Sequence, residues 1–488
     1  MSVASETTAL RDRCAGVAPL SARLEPWMAD VCSRPAELTD LMARHGSPVN
    51  LINPSPMARN ATELSRAARD SGLDLGIYFA RKANKALGLV DRACEMGIGI
   101  DLASERELTQ VLERGVAPAR LTMTAAIKPR ALLERCAETG TLIVVDNADE
   151  LRATGEAAHA VGAPDLPIAL RLAPDLGPDR IETRFGLASE RWLATIGTKP
   201  ESPRALRVEG VHFHIDGYDA GDRITALIQA IDLIDALRAS GHQPRFVDIG
   251  GGIPIDYLDD AEEWSRFQAQ HLSALRDERA PLTFENHGLG LTIGNGEIAG
   301  RLNAYPVAQR PIRGEWLAQI LRSSGRGGGS TLADSLRERE LELRCEPGRS
   351  LLDGCGMTVA RVEFRKQRRD GTWLIGLAMN RTQCRSTADE FPLDPLLLRE
   401  DATSASATGT DAIEGYLVGA YCIERELLSW RLMRFPSGAE VGDLIAFPNT
   451  GGYMMHILES ASHQIPLAKN LLFDGERFTL DPIDRPAD

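Results

Sequence analysis

The 488-residue chain contains no uninterrupted apolar stretch approaching the ~20 residues that a membrane-crossing helix requires. Its N-terminus, MSVASETTALRDRC, also lacks the basic region and apolar core of a signal peptide, so a cytoplasmic location is expected. Positive charge is in the minority: 55 basic residues stand against 69 acidic ones, a formal net charge of −14. That balance argues against nucleic acid as a partner, because neutralising phosphates needs concentrated positive charge. The eight cysteines, at positions 14, 32, 94, 136, 345, 355, 384 and 422, form no C-x-x-C pair, and neither a disulfide frame nor a structural zinc site is expected. Repeats at solenoid spacing and low-complexity tails are missing too. What remains is 43% hydrophobic and 25% charged, an ordinary globular composition that excludes disorder, collagen and coiled coil. The length suits one large barrel with a smaller partner domain.

Eight short apolar runs are separated by helical patterns: LGIYFA (75–80), IGID (98–101), LTMT (121–124), TLIVV (141–145), PIALRL (167–172), EGVHFHI (209–215), RFVDI (245–249) and LELRC (341–345). Continuous apolar strands alternating with helices indicate a parallel sheet buried on both faces, and eight such units predict an α/β fold of the (β/α)8 TIM-barrel type. A doubly wound open sheet is the alternative. The long interval before the eighth run holds a possible strand LTFEN (282–286), a helix around 314–324 and the stretch GRGGGS (325–330), read as a linker because no strand feeds it in Walker fashion. Beyond residue 350 the pattern changes to β-like runs, MTVARVEF (357–364), WLIGLAM (373–379) and DLIAFP (443–448), joined by SPVNLIN (47–53). The expected division is a barrel over residues 54–352, with an insertion around 287–335, and a mostly-β domain built from 1–53 and 353–488.

Chemistry in such a barrel sits where the strands end. Here Lys82 follows the first strand, Asp101 the second, Asp146 the fourth, His214 closes the sixth, Gly250-Gly251-Gly252 follow the seventh and Glu346 the eighth. Three glycines after a buried strand expose N–H groups to an anion, and Pro347-Gly348-Arg349 adds a cation at the same corner, where barrels commonly bind phosphate. A phosphate site, an inward lysine and a carboxylate on neighbouring strands suggest pyridoxal phosphate, with Lys82 as Schiff-base lysine and Glu346 on the pyridine nitrogen. Lys85 is the rival lysine. His212 and His214 share one face of a strand and, with Asp216 or Asp248, could instead form the metal site of a barrel hydrolase. No third His follows a later barrel strand, and no metal is expected.

At these positions the chain resembles the alanine racemase-like, fold type III pyridoxal-phosphate decarboxylases, the diaminopimelate, ornithine and arginine decarboxylase group. Tyr78-Phe79-Ala80-Arg81-Lys82-Ala83-Asn84 looks like Y-x-A-V-K-A-N, and Gly97 to Ser104 with Glu107-Leu108 is similar to G-x-G-x-D-x-x-S-x-x-E-L. Arg184-Phe185-Gly186, His212-Phe213-His214, Asp248 to Gly252, Glu346 to Arg349, Gly419 to Cys422 and Gly451-Gly452-Tyr453 resemble K-F-G, H-F-H, D-I-G-G-G, E-P-G-R, G-P-x-C and G-A-Y. The resemblance implies that Lys82, Asp101, His214, the three glycines, Glu346, Gly348, Arg349 and Tyr453 hold pyridoxal phosphate. It implies a homodimer with shared active sites, Cys422 reaching into the partner's site. It also implies loss of CO₂ from the Cα of an amino acid, with Lys82, His214 and Cys422 catalytic. Arg385 roughly matches the region where diaminopimelate decarboxylases hold a distal carboxylate.

Two departures bear on substrate. The family's H-x-G-S is His214-Ile215-Asp216-Gly217 here, which loses the Ser and adds a carboxylate, and the acid beside Cys422 is displaced by one position to Glu424. Asp216, Glu424 and Arg385 are therefore the expected substrate residues. The candidate substrates are diaminopimelate, ornithine or lysine, or an intermediate of a natural-product or siderophore pathway. An amino-acid racemase, a catalytically silent regulatory homologue and a metal-dependent hydrolase are the alternatives.

Overall fold

The computed structural model describes residues 10–197, 206–294, 297–325, 329–400 and 411–485. Eight parallel strands close into a barrel in chain order: β1 (Leu75–Ala80), β2 (Gly99–Leu102), β3 (Leu121–Met123), β4 (Leu142–Val145), β5 (Leu166–Arg171), β6 (Leu206–His212), β7 (Phe246–Asp248) and β8 (Glu342–Cys345). β8 pairs with both β1 and β7 and completes the ring. These are the eight runs read from the sequence. Most are largely apolar because inward side chains fill the barrel and outward ones meet the helices; all four residues of β4, Leu-Ile-Val-Val, are buried, whereas β8 alternates Glu342 and Arg344 with buried Leu343 and Cys345. One continuous core runs from Ile77 and Phe79 on β1 through Ile143 and Val145 on β4 to Leu343 on β8.

The helices begin where local chemistry starts them. Ser104 accepts the N–H of Glu107 (3.2 Å) while the Glu107 carboxylate accepts that of Ala103 (2.7 Å), which seals the start of the helix Glu105–Glu113 just past β2. Asn147 and Asp219 cap the helices Ala148–Ala160 and Ala220–Ala239 in the same way.

The second sheet has ten strands among the described residues. Its spine is Gly356–Gln367, whose first half pairs antiparallel with Val49–Ile52 and Leu444–Pro448 and whose second half pairs with Trp373–Leu377. Burial fades along the spine's last residues as it leaves the core. The strands Ile413–Val418 and Lys469–Phe473 also join the sheet, and the sequence reading had not singled them out. No described helix is long and apolar enough to cross a membrane.

The long interval before β8 differs from expectation. LTFEN is not a strand: Thr283 makes one bridge to Arg431, and Phe284–Asn286 is a tight turn with Glu285 and Asn286 at φ of 50° and 51°, a left-handed backbone that cannot pair in a ladder. A hairpin of Leu291–Gly294 and Glu297–Gly300 follows instead. The helix Arg313–Arg322 stands where one was expected. Of GRGGGS, residues 326–328 lie outside the described residues.

Candidate active site

Barrel closure delivers every β-strand's C-terminal end to one rim. Past β1 the chain turns tightly over Arg81–Ala83. Arg81 is fully buried and donates to the carbonyls of Glu107 (3.2 Å) and Lys85 (3.3 Å) and to Gln110 Oε1 (2.6 Å), so it ties the turn to the helix Glu105–Glu113. With Arg81 committed to that helix, Lys82 points to the barrel mouth, its Nζ 2.5 Å from Asp101 Oδ2 on β2. The other Asp101 oxygen accepts the hydroxyl of Thr124. Burial alone would lower the Lys82 ammonium's pKa, but Asp101 and Glu346 outweigh it and hold it above the usual lysine value.

Glu346 follows β8 on the floor of the same mouth. Its Oε2 lies 3.3 Å from His212 Nε2, while its Oε1 is buried with no hydrogen-bond partner. Burial pushes the Glu346 carboxyl upward, with Lys82 and Arg171 opposing. His212 is completely buried, and burial, then Arg171, drives its pKa well below the usual value, so the ring is neutral. His214 lies beyond the end of β6, and its Nδ1 accepts the N–H of Gly251 at 3.1 Å, which fixes its ring at the mouth. It too is held neutral, by burial and then by Lys82.

Gly250, Gly251 and Gly252 turn tightly between β7 and this floor. Gly250 and Gly252 have φ of 65° and 73°. A Cβ at 250 would come within 2.6 Å of the Phe213 carbonyl, one at 251 within 2.9 Å of the Glu346 carbonyl and one at 252 within 2.1 Å of Arg223 Nη2. Only glycine fits such a loop, and its bare backbone is the form that takes a phosphate. Arg349 donates to the Gly452 carbonyl (2.8 Å) and stands over the rings of Tyr305 and Tyr453, 4.1 and 5.1 Å from their centroids. Tyr453 is held beside the lysine turn by its N–H on the Ala83 carbonyl (2.7 Å).

These groups enclose a cavity of about 340 Å³, lined among others by Lys82, His214, Asp216, Glu346, Arg349 and Tyr453. The orphaned Glu346 Oε1 suits a pyridinium N–H, the glycine turn suits a phosphate and Lys82 suits an aldehyde. The residues present therefore fit pyridoxal phosphate.

The residues of the alternative metal reading divide differently. His212, Asp248 and Glu346 bring ligand atoms within 4.8 Å of one another, all buried. But His214 is engaged with Gly251, Asp216 is exposed on the rim, and Asp248 accepts the N–H of Gly250 (2.8 Å). Lys82 and Arg171 bear on the same group, cationic charge that a bound metal would have to oppose.

Not every expected residue reaches the cavity. Arg385 is buried and donates to the carbonyls of Leu427 (3.0 Å) and Leu428 (3.5 Å), which uses its guanidinium inside the β domain; its neighbours Ser386 and Thr387 line the cavity instead. Cys422 and Glu424 are exposed and do not line it. Other contributors had not been singled out. Arg171, at the end of β5, packs on Phe185 (4.1 Å) and pairs with Asp146 (3.5 Å), which also accepts the N–H of Gly186 (3.1 Å). An arginine inside the apolar run PIALRL was a legible signal. Tyr218 and Ile457 lie on loops, where periodicity carries no signal.

The family profile described as "Pyridoxal-dependent decarboxylase, pyridoxal binding domain" matches residues 59–295. The chain is 32% identical over 434 residues to the uncharacterized protein y4yA of Sinorhizobium fredii, covering 88% of each. It is 24% identical over 465 residues to the diaminopimelate decarboxylase of Pseudomonas aeruginosa, covering 92% of this chain and 93% of that one. Among solved structures, the diaminopimelate decarboxylase of Helicobacter pylori complexed with L-lysine has a TM-score of 0.64 at 18% identity, covering 90% of this chain and 95% of that one. The arginine decarboxylase of Paramecium bursaria Chlorella virus bound to agmatine has a TM-score of 0.63 at 15% identity, covering 91% and 100%. At these identities the structural likeness shows a common fold.

Proposed function

The chain belongs to the pyridoxal-dependent decarboxylase family, a carboxy-lyase of the diaminopimelate, ornithine and arginine decarboxylase group with pyridoxal phosphate as cofactor, and from that premise we propose that it removes the α-carboxylate of an amino acid with a cationic side chain. The observation that carries the site assignment is the convergence of Lys82, paired with Asp101, and the unpartnered Glu346 Oε1 on one cavity beside the glycine turn. When bound, the cofactor supplies an electron sink for the pair left on Cα as CO₂ departs.

The residues divide that work. Lys82 would hold the aldehyde of the cofactor, and Asp101 orients Lys82 and holds its proton. Glu346 Oε1 holds a proton at the ring nitrogen, and buried, neutral His212 keeps the opposite oxygen in place. His214, fixed by Gly251, offers a flat, uncharged ring to pack on the pyridine. Gly251, Gly252, Gly348 and Arg349 take the phosphate. The racemase reading is the weaker one, because the group poised for the ring nitrogen is a carboxylate. The silent-homologue reading is weaker because Lys82, His214 and Glu346 all face one cavity.

Asp216 on the rim and the engagement of Arg385 elsewhere support a substrate tail that is cationic rather than carboxylate. Diaminopimelate is disfavoured on the same ground. The test is CO₂ release from ornithine, lysine, arginine and diaminopimelate by the purified protein. Asp216→Asn is expected to lower kcat/KM for the best basic substrate by about tenfold, the effect of losing one charged contact. Faster turnover of diaminopimelate than of any basic amino acid would overturn the proposed preference.

The position of Cys422 supports a homodimer. It is exposed beside Ile423, itself 48% exposed, while Ile457 and Leu458 are 41% and 38% exposed, an apolar margin near the cavity that a second copy would cover. In that arrangement Cys422 enters the partner's site and returns the proton to Cα. Lys82→Ala and Cys422→Ala should each be nearly inactive alone. Mixed and reassembled, they should recover about a quarter of wild-type activity, since random pairing makes half of the dimers hybrids and each hybrid holds one intact site. No recovery on mixing would exclude the shared site.

A further inference from the structure

Arg223 lies in the first turn of the helix Ala220–Ala239 and is completely buried. Its Nη2 donates to three carbonyls, Ile215 (2.8 Å), Gly217 (2.9 Å) and Gly251 (3.3 Å), while Nε and Nη1 are buried without a hydrogen-bond partner. The three carbonyls come from two loops: the turn after β6 that carries His214 and Asp216, and the glycine turn after β7. The guanidinium also fills the space a side chain at position 252 would need, its Nη2 being 2.1 Å from where that Cβ would stand. Trp316, on the helix Arg313–Arg322 from the long interval before β8, closes the site from beneath. Its ring is 6.0 Å from the Arg223 guanidinium, and its Nε1 donates to the Tyr218 carbonyl (2.9 Å).

Burying a charge with two idle donor nitrogens is costly unless something anionic repays it. The loop that Arg223 braces includes the glycines that suit a phosphate. On the rim beside them stands Asp216, a carboxylate that repels a phosphate, and the stretch Ile215-Asp216-Gly217 offers no hydroxyl to bind one. Burial lowers the guanidinium pKa to about 10, with Asp222 and Asp216 opposing, so the group remains cationic at neutral pH.

We propose that Arg223 is a positioning residue for the cofactor phosphate: it holds the Gly250–Gly252 turn against the 215–217 turn and places a buried positive charge behind the phosphate, offsetting Asp216. The inference rests on the pyridoxal-phosphate reading of this cavity and adds a residue to it.

The test compares two probes on the full-length apoenzyme, pyridoxal phosphate and unphosphorylated pyridoxal, each titrated by absorbance. In Arg223→Met, pyridoxal phosphate is expected to bind at least about tenfold more weakly while pyridoxal changes by less than about twofold, so the ratio of the two affinities falls. Arg223→Lys, which keeps the charge and part of the carbonyl bonding, should fall between wild type and Arg223→Met. A role in packing alone would weaken both probes together or neither, and an unchanged ratio in these variants overturns the proposal. If Arg223→Met does not fold, the same ratio in Arg223→Lys decides. Wild-type protein that bound neither probe would instead count against the cofactor assignment.

Discussion

Lys82→Ala is expected to abolish turnover, a fall of about a thousandfold, comparable with removing a positioned proton-transfer group. The visible absorbance of the bound cofactor should go with it. Among the described residues Lys82 is the one lysine lining the cavity, whereas Lys85 pairs with Glu459 outside that lining, so Lys85→Ala should stay near wild type. Borohydride reduction of the wild-type enzyme, followed by peptide mass analysis, should find the cofactor on the peptide containing Lys82. Retained absorbance and turnover in Lys82→Ala would remove the assignment. The variant also carries a stability cost. Asp101 is fully buried, and without the lysine its charge loses its ion-pair partner, a loss of about 3–5 kcal/mol at neutral pH. Burial and Glu346 already raise the Asp101 pKa, and removing Lys82 raises it further. The protonated form costs little, so the deficit grows as pH rises above the unfolded carboxylate range. Thermal unfolding of the apo variant against apo wild type should show a larger gap at pH 8 than at pH 5.

Glu346→Gln separates function from stability in the opposite sense. Turnover should fall about 10²- to 10³-fold, the scale of losing one preorganised electrostatic group, because an amide cannot hold a proton on the ring nitrogen as a carboxylate does. Apoenzyme stability should rise. Burial raises the folded pKa of Glu346 above its unfolded value, so its contribution favours folding at low pH and is lost as pH climbs through the interval between the two. At pH 8 the wild-type apoenzyme bears that cost and the glutamine variant does not. The unfolding midpoint of the variant is expected to exceed wild type by about 2 °C or more at pH 8 and to approach it at pH 5. Undiminished turnover in Glu346→Gln would mean that ring protonation is not required.

Much of this site was legible because barrel strands make their rim residues easy to find. Lys82, Asp101, Glu346 and the three glycines each lie at or just past the end of an apolar run, so knowing where a run stops was enough to place them at the mouth. The last third was harder. Leu396–Leu398, paired with one strand, and Met433–Phe435, set between Ala15–Gly16 and Ile413–Val418, are three-residue strands too short to set up a period. LTFEN had the composition of a strand, but the left-handed backbone at Glu285 and Asn286 prevents one. Arg385 shows the same limit at the level of one side chain. Its position in the chain matched a substrate-binding region, yet its guanidinium turned to the Leu427 and Leu428 carbonyls, and nothing local to its sequence could have shown that.

The sequence by itself determined the eight-stranded barrel, the second β domain and the order of chemical groups around the mouth, because burial along a strand is written in hydrophobic periodicity and loops inherit their place from the strands they follow. Only the tertiary structure decided which of those groups meet. It placed His212 under Glu346 and left the other carboxylate oxygen without a partner, put Cys422 outside its own chain's cavity, and set Arg223 beneath a glycine turn reached from another strand. Such pairings join residues that are distant in the chain, so they depend on closure of the ring and on side-chain direction, and a one-dimensional pattern encodes neither.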